Sequence, residues 1–435
     1  MTQQNKSEIH VGLIGVGNVG RGVARYFHEG RGEPYNVKLS KVAVSDLKKS
    51  REFDLPGITD KAEEIINDPN IHIVVEVIGG TDKAKDFVFQ ALENGKSVVT
   101  ANKALMARYA KDVFDKAREK SIDVGFEASV GGGIQIISTL RRLQGERIEK
   151  IMGILNGTTN YILTQMEEGM DFDEALKIAQ KEGFAEANHI LDTGGFDTRD
   201  KLALLASLIF NTHVDPETIQ CNGITGITQV DIDFAKKYEV EEGGRGYTIK
   251  LLGIANQNNG KVELSVRPVL LSLDHQLASI RNQFNAVYIE GEWAGPQMFT
   301  GKGAGTDPTA SAVISDILRI ARNIQNGTTD DLPTLDAKVD FVNPDEVKHK
   351  GYIRANLRHM PGSLAEVASI LSRHGLNISD SVQRKRFESN VKGETFMPDI
   401  ITVEAASGKV IDTALKELKD SQRIHGDPFF LSFEE

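Results

Sequence analysis

Apolar residues in the first third of the chain fall into short, nearly continuous runs separated by amphipathic stretches. Such runs are typical of parallel strands covered on both faces, and their alternation with helical stretches is typical of an α/β domain. Val23 and Ala24 take up helical spacing after the first run, and Thr81-Asp82 start a second helix that closes near Gly95. The predicted strands span residues 9–14, 37–44, 71–78, 97–100 and 121–126.

The middle of the chain predicts a mixed α+β module. The predicted elements are helices at 133–143 and 173–183 and strands at 148–155, 261–271 and 285–293. The last two strands alternate as antiparallel strands do, and residues 243–246 before them read as a flexible glycine loop. A one-sided sheet of this kind needs cover for its exposed face, which a second copy of the chain would supply.

The C-terminal third predicts a further small module behind a linker. A glycine turn ending at Gly305 precedes a helix that runs to about Ile324, and we expect this helix to return to the N-terminal domain. Residues 329–349 are polar, contain Pro333 and Pro344, and predict a linker. The elements predicted beyond it are a strand at 352–357, a helix at 364–374 and a second strand led by 376–378.

Composition narrows the class of protein. With 435 residues the chain can form two or three domains, and its formal net charge of -11 argues against broad binding to nucleic acid. Its single cysteine, Cys221, excludes an intrachain disulfide. No run approaches the roughly 18 apolar residues of a membrane span, and the first residues lack a signal-like segment, so we expect a cytoplasmic protein.

A glycine turn joins the first predicted strand to the helix that follows. Gly15, Gly17 and Gly20 form a G-x-G-x-x-G pattern around Asn18 and Val19. Such glycines let the backbone turn tightly and approach a pyrophosphate, whose charge then faces the helix N-terminus. The pattern therefore predicts a dinucleotide site.

The end of the second predicted strand bears on the choice of cofactor. An acidic side chain here binds the ribose 2′-OH of NAD, whereas nearby basic side chains accommodate the 2′-phosphate of NADP. The chain offers both, because Asp46 follows Ser45 and precedes Lys48, Lys49 and Arg51. The sequence thus leaves NAD and NADP open.

Charged residues gather before an apolar helical run at 202–209. Glu186 and Asp192 lie on a predicted loop, Asp197 is a plausible N-cap, and Lys201 follows one turn later. A lysine held against a carboxylate on an apolar surface can act as a proton donor, and two further carboxylates could hold a substrate ammonium group. An ordinary capped helix with an ion pair explains the same spacing.

The chain resembles homoserine dehydrogenases at these residues. Glu186, Asp192, Gly195, Asp197 and Lys201 stand at the spacing of the family signature, a glutamate, an aspartate and G-x-D-x-x-x-K. The T-A-N-K segment that ends at Lys103 and the N-G-T-T-N segment at 156–160 also match. The resemblance implies the interconversion of L-homoserine and L-aspartate 4-semialdehyde with NAD or NADP.

The resemblance also implies roles for individual residues. Lys201, Lys103 and Asp197 would be catalytic, with Lys201 as the leading proton donor. The substrate would be bound by Glu186, Asp192, Asp197, Gly157 and Thr158. The cofactor would be bound by Gly15, Gly17, Asn18, Val19, Gly20, Ser45, Lys48, Lys49, Ile78, Gly79, Gly80, Lys103 and Gly305.

Three successive glycines at 131–133 suit either a hinge or an ion site. The family places a sodium-like monovalent cation here. Residue by residue, this implies oxygen ligands from Glu127, Val130, Gly132 and Ile134. A domain hinge without an ion stays the alternative.

The C-terminal module resembles an ACT domain, a βαββαβ unit that senses small ligands. The acidic residue usual near its Pro-Gly turn is absent, because His359-Met360 stand before Pro361. Feedback by threonine and purely structural dimerisation are both open.

Together these features predict a three-part α/β enzyme. A Rossmann-like domain with a doubly wound parallel sheet is expected at 1–130 plus about 303–328. An α+β catalytic and dimerisation domain at 131–302, a linker at 329–349 and an ACT-like domain at 350–435 would follow, in a homodimer or higher oligomer. The alternatives are another semialdehyde or amino-acid dehydrogenase, or a regulatory protein that senses a nucleotide and an amino acid.

Overall fold

The computed structural model describes residues 7–143, 145–185, 188–239, 244–258, 260–391 and 393–434. The chain forms two compact units, each built from separate segments. The first comprises Met1–Ile148, Asp200–Thr218 and Asn285–Val339. The second comprises Glu149–Arg199, Ile219–Phe284 and Asp340–Glu435. The three-domain boundaries inferred from the sequence stay predictions.

The N-terminal part of the chain alternates strands and helices, as predicted. Its strands are β1 (Ile9–Ile14), β2 (Val37–Ala43), β3 (Ile58–Thr59), β4 (Ile73–Glu76), β5 (Ser97–Thr100) and β6 (Val124–Gly125). Its helices are α1 (Asn18–His28), α2 (Glu63–Ile66), α3 (Asp82–Glu93), α4 (Lys103–Lys120) and α5 (Ile136–Arg142). The strands pair in parallel in the order β3-β2-β1-β4-β5-β6. This is the order of a doubly wound dinucleotide-binding sheet, and it confirms the predicted fold class.

The middle of the chain contributes elements to both units. Its helices are α6 (Gly157–Glu167), α7 (Phe172–Lys181), α8 (Ile190–Thr193), α9 (Phe196–Phe210), α10 (Gln229–Lys237) and α11 (Thr306–Asn326). Its strands are β7 (Ile148–Ile154), β8 (Gln220–Cys221), β9 (Tyr247–Asn258), β10 (Lys261–Ser272), β11 (Phe284–Gly291) and β12 (Gly295–Lys302).

Helix α11 completes the core of the first unit, although nearly three hundred residues separate it from β1. Ile9, Val11 and Leu13 of β1 are fully buried in one apolar cluster with Val313 and Ile317 of α11. A methyl group on Gly22 of α1 would lie only 2.7 Å from the Ala310 side chain, so a glycine is required where α1 and α11 pack. The predicted return of this helix to the N-terminal domain is therefore observed.

Two strands of the first unit are shorter than the sequence pattern predicted. Strand β4 covers Ile73–Glu76 of the predicted 71–78, and β6 covers Val124–Gly125 of the predicted 121–126. Ser121 has φ +52° and ends α4, so its backbone cannot be part of a strand. The apolar pattern extends past the strands because Ile71 and Phe126 are buried in the adjoining loops, whereas Ile78 is exposed.

The second unit contains a mixed sheet that includes a strand the sequence analysis missed. Seven of its strands pair in the order β7-β9-β10-β18-β14-β17-β15, where β14 is Lys348–Arg358, β15 is Ile378–Gln383, β17 is Glu394–Ser407 and β18 is Ile424–Glu434. The missed strand is β9, and it pairs antiparallel with β10 along the full length of both. The sequence predicted a glycine loop at 243–246 and no strand between that loop and β10.

The C-terminal part of the second unit forms a βαββαβ module. Its elements, with the short preceding strand, are β13 (Asp340–Phe341), β14 (Lys348–Arg358), α12 (Ser363–Arg373), β15 (Ile378–Gln383), β16 (Ser389–Val391), β17 (Glu394–Ser407), α13 (Gly408–Asp420) and β18 (Ile424–Glu434). The order β18-β14-β17-β15 places the first and third strands at the centre. Ile353 and Ile401 of these strands pack against Val367 of α12 and Ala414 of α13.

Residues 329–349, which predicted a linker, carry ordered structure. They include β13 and the first residues of β14, and the side chains of Leu332 and Leu335 are buried. The polar composition of this segment predicted a linker and gave no sign that these two leucines are buried. Within the described residues, no helix combines the length and the apolar character that a membrane span needs.

Candidate active site

The glycine turn after β1 has the geometry that pyrophosphate binding requires. Gly15 has φ +101°, and a methyl group on it would lie 2.8 Å from the Ile78 side chain. A methyl group on Gly20 would lie 2.0 Å from the Gly15 carbonyl oxygen, so the turn and α1 pack too closely for any side chain. By contrast, no atom lies within 4 Å of the methyl position of Gly17. The turn is thus closed on the protein side and open where a phosphate would approach the start of α1 at Asn18 and Val19.

A cleft of about 920 Å³ opens beside this turn within the first unit. That volume suits a large organic ligand. Of the predicted cofactor residues, the cleft is lined by Gly15, Gly17, Asn18, Ser45, Lys49 and Ile78. Lys48, Gly79 and Gly80 lie beside these residues in sequence but are not part of the lining. The parallel sheet therefore brings the glycine turn and the end of β2 to one cavity, as its strand order requires.

The loop after β2 is held by hydrogen bonds to its own backbone. Arg51 donates to the carbonyl oxygens of Asp46 at 2.6 Å and Lys49 at 2.7 Å. The Asp46 carboxylate accepts from the Lys48 amide at 2.8 Å. Lys49 and Arg51 both line the cleft, as does Arg21, which the sequence analysis did not single out. The lining of the cleft therefore combines the cations of Arg21, Lys49 and Arg51 with Asp46.

Glu76 fixes the carboxyl end of β4. Its side chain is fully buried, and its two carboxylate oxygens accept from the Thr100 hydroxyl at 2.7 Å and from the Ile78 amide at 2.9 Å. Burial raises the pKa of Glu76, and these hydrogen bonds oppose that rise. The carboxyl ends of β4 and β5 are consequently tied together.

Lys103 begins α4 at the same edge of the sheet. The preceding residue, Asn102, caps the helix by accepting from the Leu105 amide at 3.1 Å. It also donates to the Gly80 carbonyl oxygen at 2.5 Å. Lys103 and the Gly79-Gly80 turn are therefore held close together, as the sequence predicted for the nicotinamide end.

Gly305 lies at the N-cap of α11, with φ +118°. The carbonyl oxygen of the next residue, Thr306, would be 3.1 Å from a methyl group on Gly22 in α1. Gly305 thus lies where α11 starts alongside the helix of the glycine turn.

The predicted cation ligands surround the turn at 131–133. Backbone carbonyls and a carboxylate are ligands that a hard cation prefers. However, the Glu127 carboxylate already accepts from the amides of Ile137 and Ser138, both at 2.8 Å, at the start of α5. It is 2% exposed, and burial, followed by the charge of Asp316, raises its pKa. The carboxylate therefore acts as a helix cap, and the ion ligands expected at Glu127, Val130, Gly132 and Ile134 stay a prediction.

Lys201 is a buried residue of α9, only 8% exposed. Its neighbour Asp200 forms an ion pair with Arg108 of α4 at 3.5 Å. Helix α4 begins at Lys103, so this ion pair joins the helices that carry the two predicted catalytic lysines. Both lysines belong to the first unit.

Asp197 is a first-turn residue and not the N-cap that the sequence predicted. Helix α9 begins at Phe196, one residue earlier. The turn before it is made at Gly195, whose φ is +86° and where a methyl group would lie 3.1 Å from the Cys221 sulfur. A carboxylate in the first turn is still favoured by the helix dipole. Lys201 follows Asp197 by one helical turn, as expected.

A single side chain connects two of the predicted substrate carboxylates. Asn156 donates from Nδ2 to Asp192 Oδ1 at 2.7 Å and to Asp197 Oδ2 at 2.9 Å. Its Oδ1 accepts from the Thr159 amide at 2.9 Å and caps α6. The N-cap of α6 is therefore Asn156, the residue that directly precedes the helix.

The remaining predicted substrate residues lie at the same helix start. Gly157 is the first residue of α6, and the Thr158 hydroxyl donates to the Phe184 carbonyl oxygen at 2.5 Å. Glu186 lies outside the described residues. The structure thus brings Asp192, Asp197 and the start of α6 together within the second unit.

Asn156 was the functional residue that sequence reasoning passed over. The N-G-T-T-N segment was noticed, but Gly157 and Thr158 were chosen from it. The available signal was an asparagine directly between a strand and a helix, a position that favours N-caps and leaves the amide nitrogen free to bond elsewhere.

Family models cover most of the chain. The model described as homoserine dehydrogenase matches residues 136–318. The model described as homoserine dehydrogenase, NAD binding domain, matches residues 15–127.

Homoserine dehydrogenases are also similar along the full length. The one from Bacillus subtilis (strain 168) is 38% identical over 439 residues, covering 96% of this chain and 99% of the relative. The one from Synechocystis sp. is 39% identical over 394 residues, covering 86% of this chain and 89% of the relative.

Solved structures of homoserine dehydrogenases are also similar to this chain. A homoserine dehydrogenase from Thiobacillus denitrificans superposes with a TM-score of 0.86 at 34% identity, covering 98% of each chain. One from S. aureus at pH 7.5 gives 0.73 at 32% identity, covering 99% of this chain and all of that one. A hyperthermophilic archaeal homoserine dehydrogenase, solved in complex with NADPH, gives 0.61 at 26% identity and covers 72% of this chain and 98% of its own.

Proposed function

Because the chain belongs to the homoserine dehydrogenase family, we propose that Lys201 and Lys103 supply the proton and the positive charge for its reaction. That reaction is the NAD(P)-dependent interconversion of L-homoserine and L-aspartate 4-semialdehyde, and the predicted enzyme class is confirmed. The observation that carries the proposal is helix α9, on which buried Lys201 follows buried Asp197 by one turn.

The nicotinamide cofactor supplies or accepts the hydride at the substrate carbon. In the reduction direction, negative charge grows on the aldehyde oxygen as the hydride arrives. The Lys201 ammonium group donates a proton to that oxygen, and the Lys103 ammonium group stabilises the developing charge. In the oxidation direction, Lys201 takes the proton from the homoserine hydroxyl group. Asp197 orients Lys201 from one turn away on the helix.

The other end of the substrate carries an ammonium group and a carboxylate. Asp192 and Asp197 bind the ammonium group, and the sequence assigns Glu186 the same role. Gly157 and Thr158 form a wall of the pocket at the start of α6. The support for this assignment is that Asn156 holds both carboxylates in hydrogen bonds of normal length.

The direct test is the variant Lys201→Ala, with Lys201→Met as a companion that keeps the apolar stem packed. Homoserine-dependent formation of NADH or NADPH should fall about 100-fold or more in both, while cofactor affinity stays within about twofold. Unchanged turnover in the folded variants would remove Lys201 from the mechanism. An absence of activity in the wild type with both cofactors would instead favour a nucleotide-sensing protein.

We propose that the cofactor's adenosine end lies at the loop after β2 and that a 2′-phosphate is accepted there. Ser45 and Lys49 line this end of the cleft, and Arg51 holds the loop in place. Asp46 Oδ1 accepts from the Lys48 amide, and the other carboxylate oxygen has room to accept from a ribose hydroxyl if the cofactor is NAD.

A monovalent cation bound at the 131–133 turn is also part of the proposal, with Glu127 and the backbone carbonyls of Val130, Gly132 and Ile134 as its ligands. Gly131 and Gly132 have φ of +74° and +57°, so this segment turns sharply. Activity in sodium chloride and in choline chloride at equal ionic strength tests the idea. Equal rates in both salts would leave the turn with a structural role.

The C-terminal module is proposed to bind an amino acid such as threonine, in a homodimer or higher oligomer. Its βαββαβ order is that of the ACT-like module which the sequence predicted. Titration calorimetry with threonine tests binding, and sedimentation velocity tests assembly. A module that dimerises and gives no heat with threonine would have a structural role.

A further inference from the structure

Asn156 links three segments of the second unit at one buried point. It lies between β7 and α6, is 5% exposed, and contacts carboxylates 36 and 41 positions further along the chain. Both hydrogens of its amide nitrogen are used, one by Asp192 and one by Asp197. Its amide oxygen is used by the Thr159 backbone.

The orientation of this amide follows from its neighbours. The Thr159 N–H must meet an acceptor, so Oδ1 faces the helix and Nδ2 faces the two carboxylates. Asparagine is well suited to this position, because it joins a capping acceptor to two donors on one short side chain. Serine would keep the capping acceptor but offers a single O–H donor on a shorter side chain, so it could serve at most one of the two carboxylates, and aspartate would present oxygen to oxygen.

The amide brings two negative charges close together without adding charge of its own. The oxygens of Asp192 and Asp197 are no further apart than two hydrogen bonds to one nitrogen allow. Their mutual repulsion at this range is unfavourable, and the shared donor offsets part of it. The shared donor keeps them at a separation that one ammonium group can bridge.

We propose that Asn156 is a positioning residue that sets the enzyme's requirement for a free amino group in its substrate. It acts by fixing the separation and direction of the Asp192 and Asp197 carboxylates. This inference rests on the role proposed above for those two carboxylates. It adds that their arrangement is imposed by Asn156 and not by the backbone alone.

Two substitutions separate positioning from helix capping. Asn156→Ser and Asn156→Asp both keep an oxygen that caps α6, so the helix start is preserved. Asn156→Ser removes the donor that Asp192 and Asp197 share, and Asn156→Asp leaves no donor and places a third carboxylate against them. The matched control is Asn160→Ser, because Asn160 is a buried asparagine of the same helix that donates to the carbonyl oxygens of Asn282 and Phe284.

The measurements are the KM values for homoserine and cofactor, and the preference for homoserine over 4-hydroxybutanoate, which lacks the amino group. Asn156→Ser should raise the KM for homoserine about 10-fold or more and leave cofactor affinity within about twofold. The preference for the amino substrate should fall by a similar factor. Asn156→Asp should have the larger effect, and it serves as the second readout if Asn156→Ser does not fold.

Asn160→Ser should lower the melting temperature while leaving both the KM for homoserine and the substrate preference within about twofold. Asp192→Asn completes the set. If Asp192→Asn leaves the KM for homoserine unchanged, the proposed ammonium site itself is wrong. If Asp192→Asn raises that KM but both Asn156 variants behave like Asn160→Ser, Asn156 is a helix cap only and the inference is overturned.

Discussion

The hydroxyl group of Tyr352 donates a hydrogen bond to Oδ1 of Asp231 at 2.6 Å, and both side chains are fully buried. This contact joins β14 of the C-terminal module to α10. Arg354 donates to the same carboxylate oxygen at 3.1 Å and to the Gly226 carbonyl oxygen at 2.7 Å. Burial, followed by the charge of Asp231, raises the pKa of Tyr352 well above its usual value, so the phenol stays a donor.

Removal of the Asp231 carboxylate should therefore destabilise the second unit. We expect Asp231→Ala to lower the free energy of unfolding by about 3 to 5 kcal/mol, because the charge of Arg354 loses its buried partner. Tyr352→Phe should cost about 1 kcal/mol or somewhat more. Urea unfolding measures both, with the exposed Tyr35→Phe as a control within about 0.5 kcal/mol of the wild type. An Asp231→Ala variant as stable as the control would contradict this account.

His349 should make the protein less stable in acid. Burial, followed by the nearby charge of Arg267, lowers the pKa of His349 to about 4. An unfolded histidine takes up its proton near pH 6.5, so between about 6.5 and 4 the unfolded chain binds more protons and stability falls as the pH falls. His349→Asn should flatten the acid side of a plot of melting temperature against pH. The exposed His359→Asn should not, and equal slopes for both variants would refute the assignment.

Lys250 should change the stability of the protein at alkaline pH. Its ammonium group is buried and donates to Asn160 Oδ1 at 3.1 Å and to the Ile280 carbonyl oxygen at 2.5 Å. Burial, opposed by the charge of Glu167, lowers the pKa of Lys250 to about 8. Between about pH 8 and 10.4 the unfolded lysine keeps a proton that the folded one has lost, so stability contributed by this group rises with pH.

The test compares Lys250→Met with the wild type across that range. The wild type should gain stability relative to the variant between pH 8 and 10, measured by urea unfolding at each pH. The exposed Lys409→Met should show no such trend relative to the wild type. A difference between wild type and Lys250→Met that does not change with pH would show that the lysine stays charged in the folded state.

Lys49 should decide between the two cofactors. If it meets the 2′-phosphate, Lys49→Ala should raise the KM for NADP about 10-fold and change the KM for NAD less than twofold. Lys48→Ala is the matched control, because Lys48 is adjacent but does not line the cleft. Equal changes for both cofactors in Lys49→Ala would place the phosphate elsewhere.

The parts of the site that sequence predicted are those built from local backbone geometry. Gly15, Gly17 and Gly20 were predicted together because one turn and one helix start need all three, and the structure places them so. Asp197 and Lys201 were predicted one turn apart because helical spacing is a local property. The catalytic roles of Asp197 and Lys201 stay predictions, and the Lys201 variants described above test the role of that lysine.

The parts that the sequence did not reveal depend on contacts between distant segments. The amide of Asn156 meets Asp192 and Asp197 only because α6, α8 and α9 pack together, and nothing in their spacing encodes this. The family resemblance assigned Glu127 to a cation site, but nothing in its spacing indicated that its carboxylate also accepts from the first amides of α5. Strand β9 was missed because a buried run with an internal glycine, Gly253, fits neither period clearly.

Strand β18 pairs with β10 on one side and with β14 of the C-terminal module on the other. Ser432 pairs with Val269 of β10 and with Gly351 of β14, and Glu434 forms an ion pair with Arg267, 167 positions earlier. During synthesis on the ribosome, the edge of β10 at Val269 stays unpaired until the residues up to β18 have been translated. An uncovered strand edge is a template for misassembly between nascent chains. A chaperone that shields this edge until β18 has been synthesised would therefore raise the yield of native protein without changing its final stability.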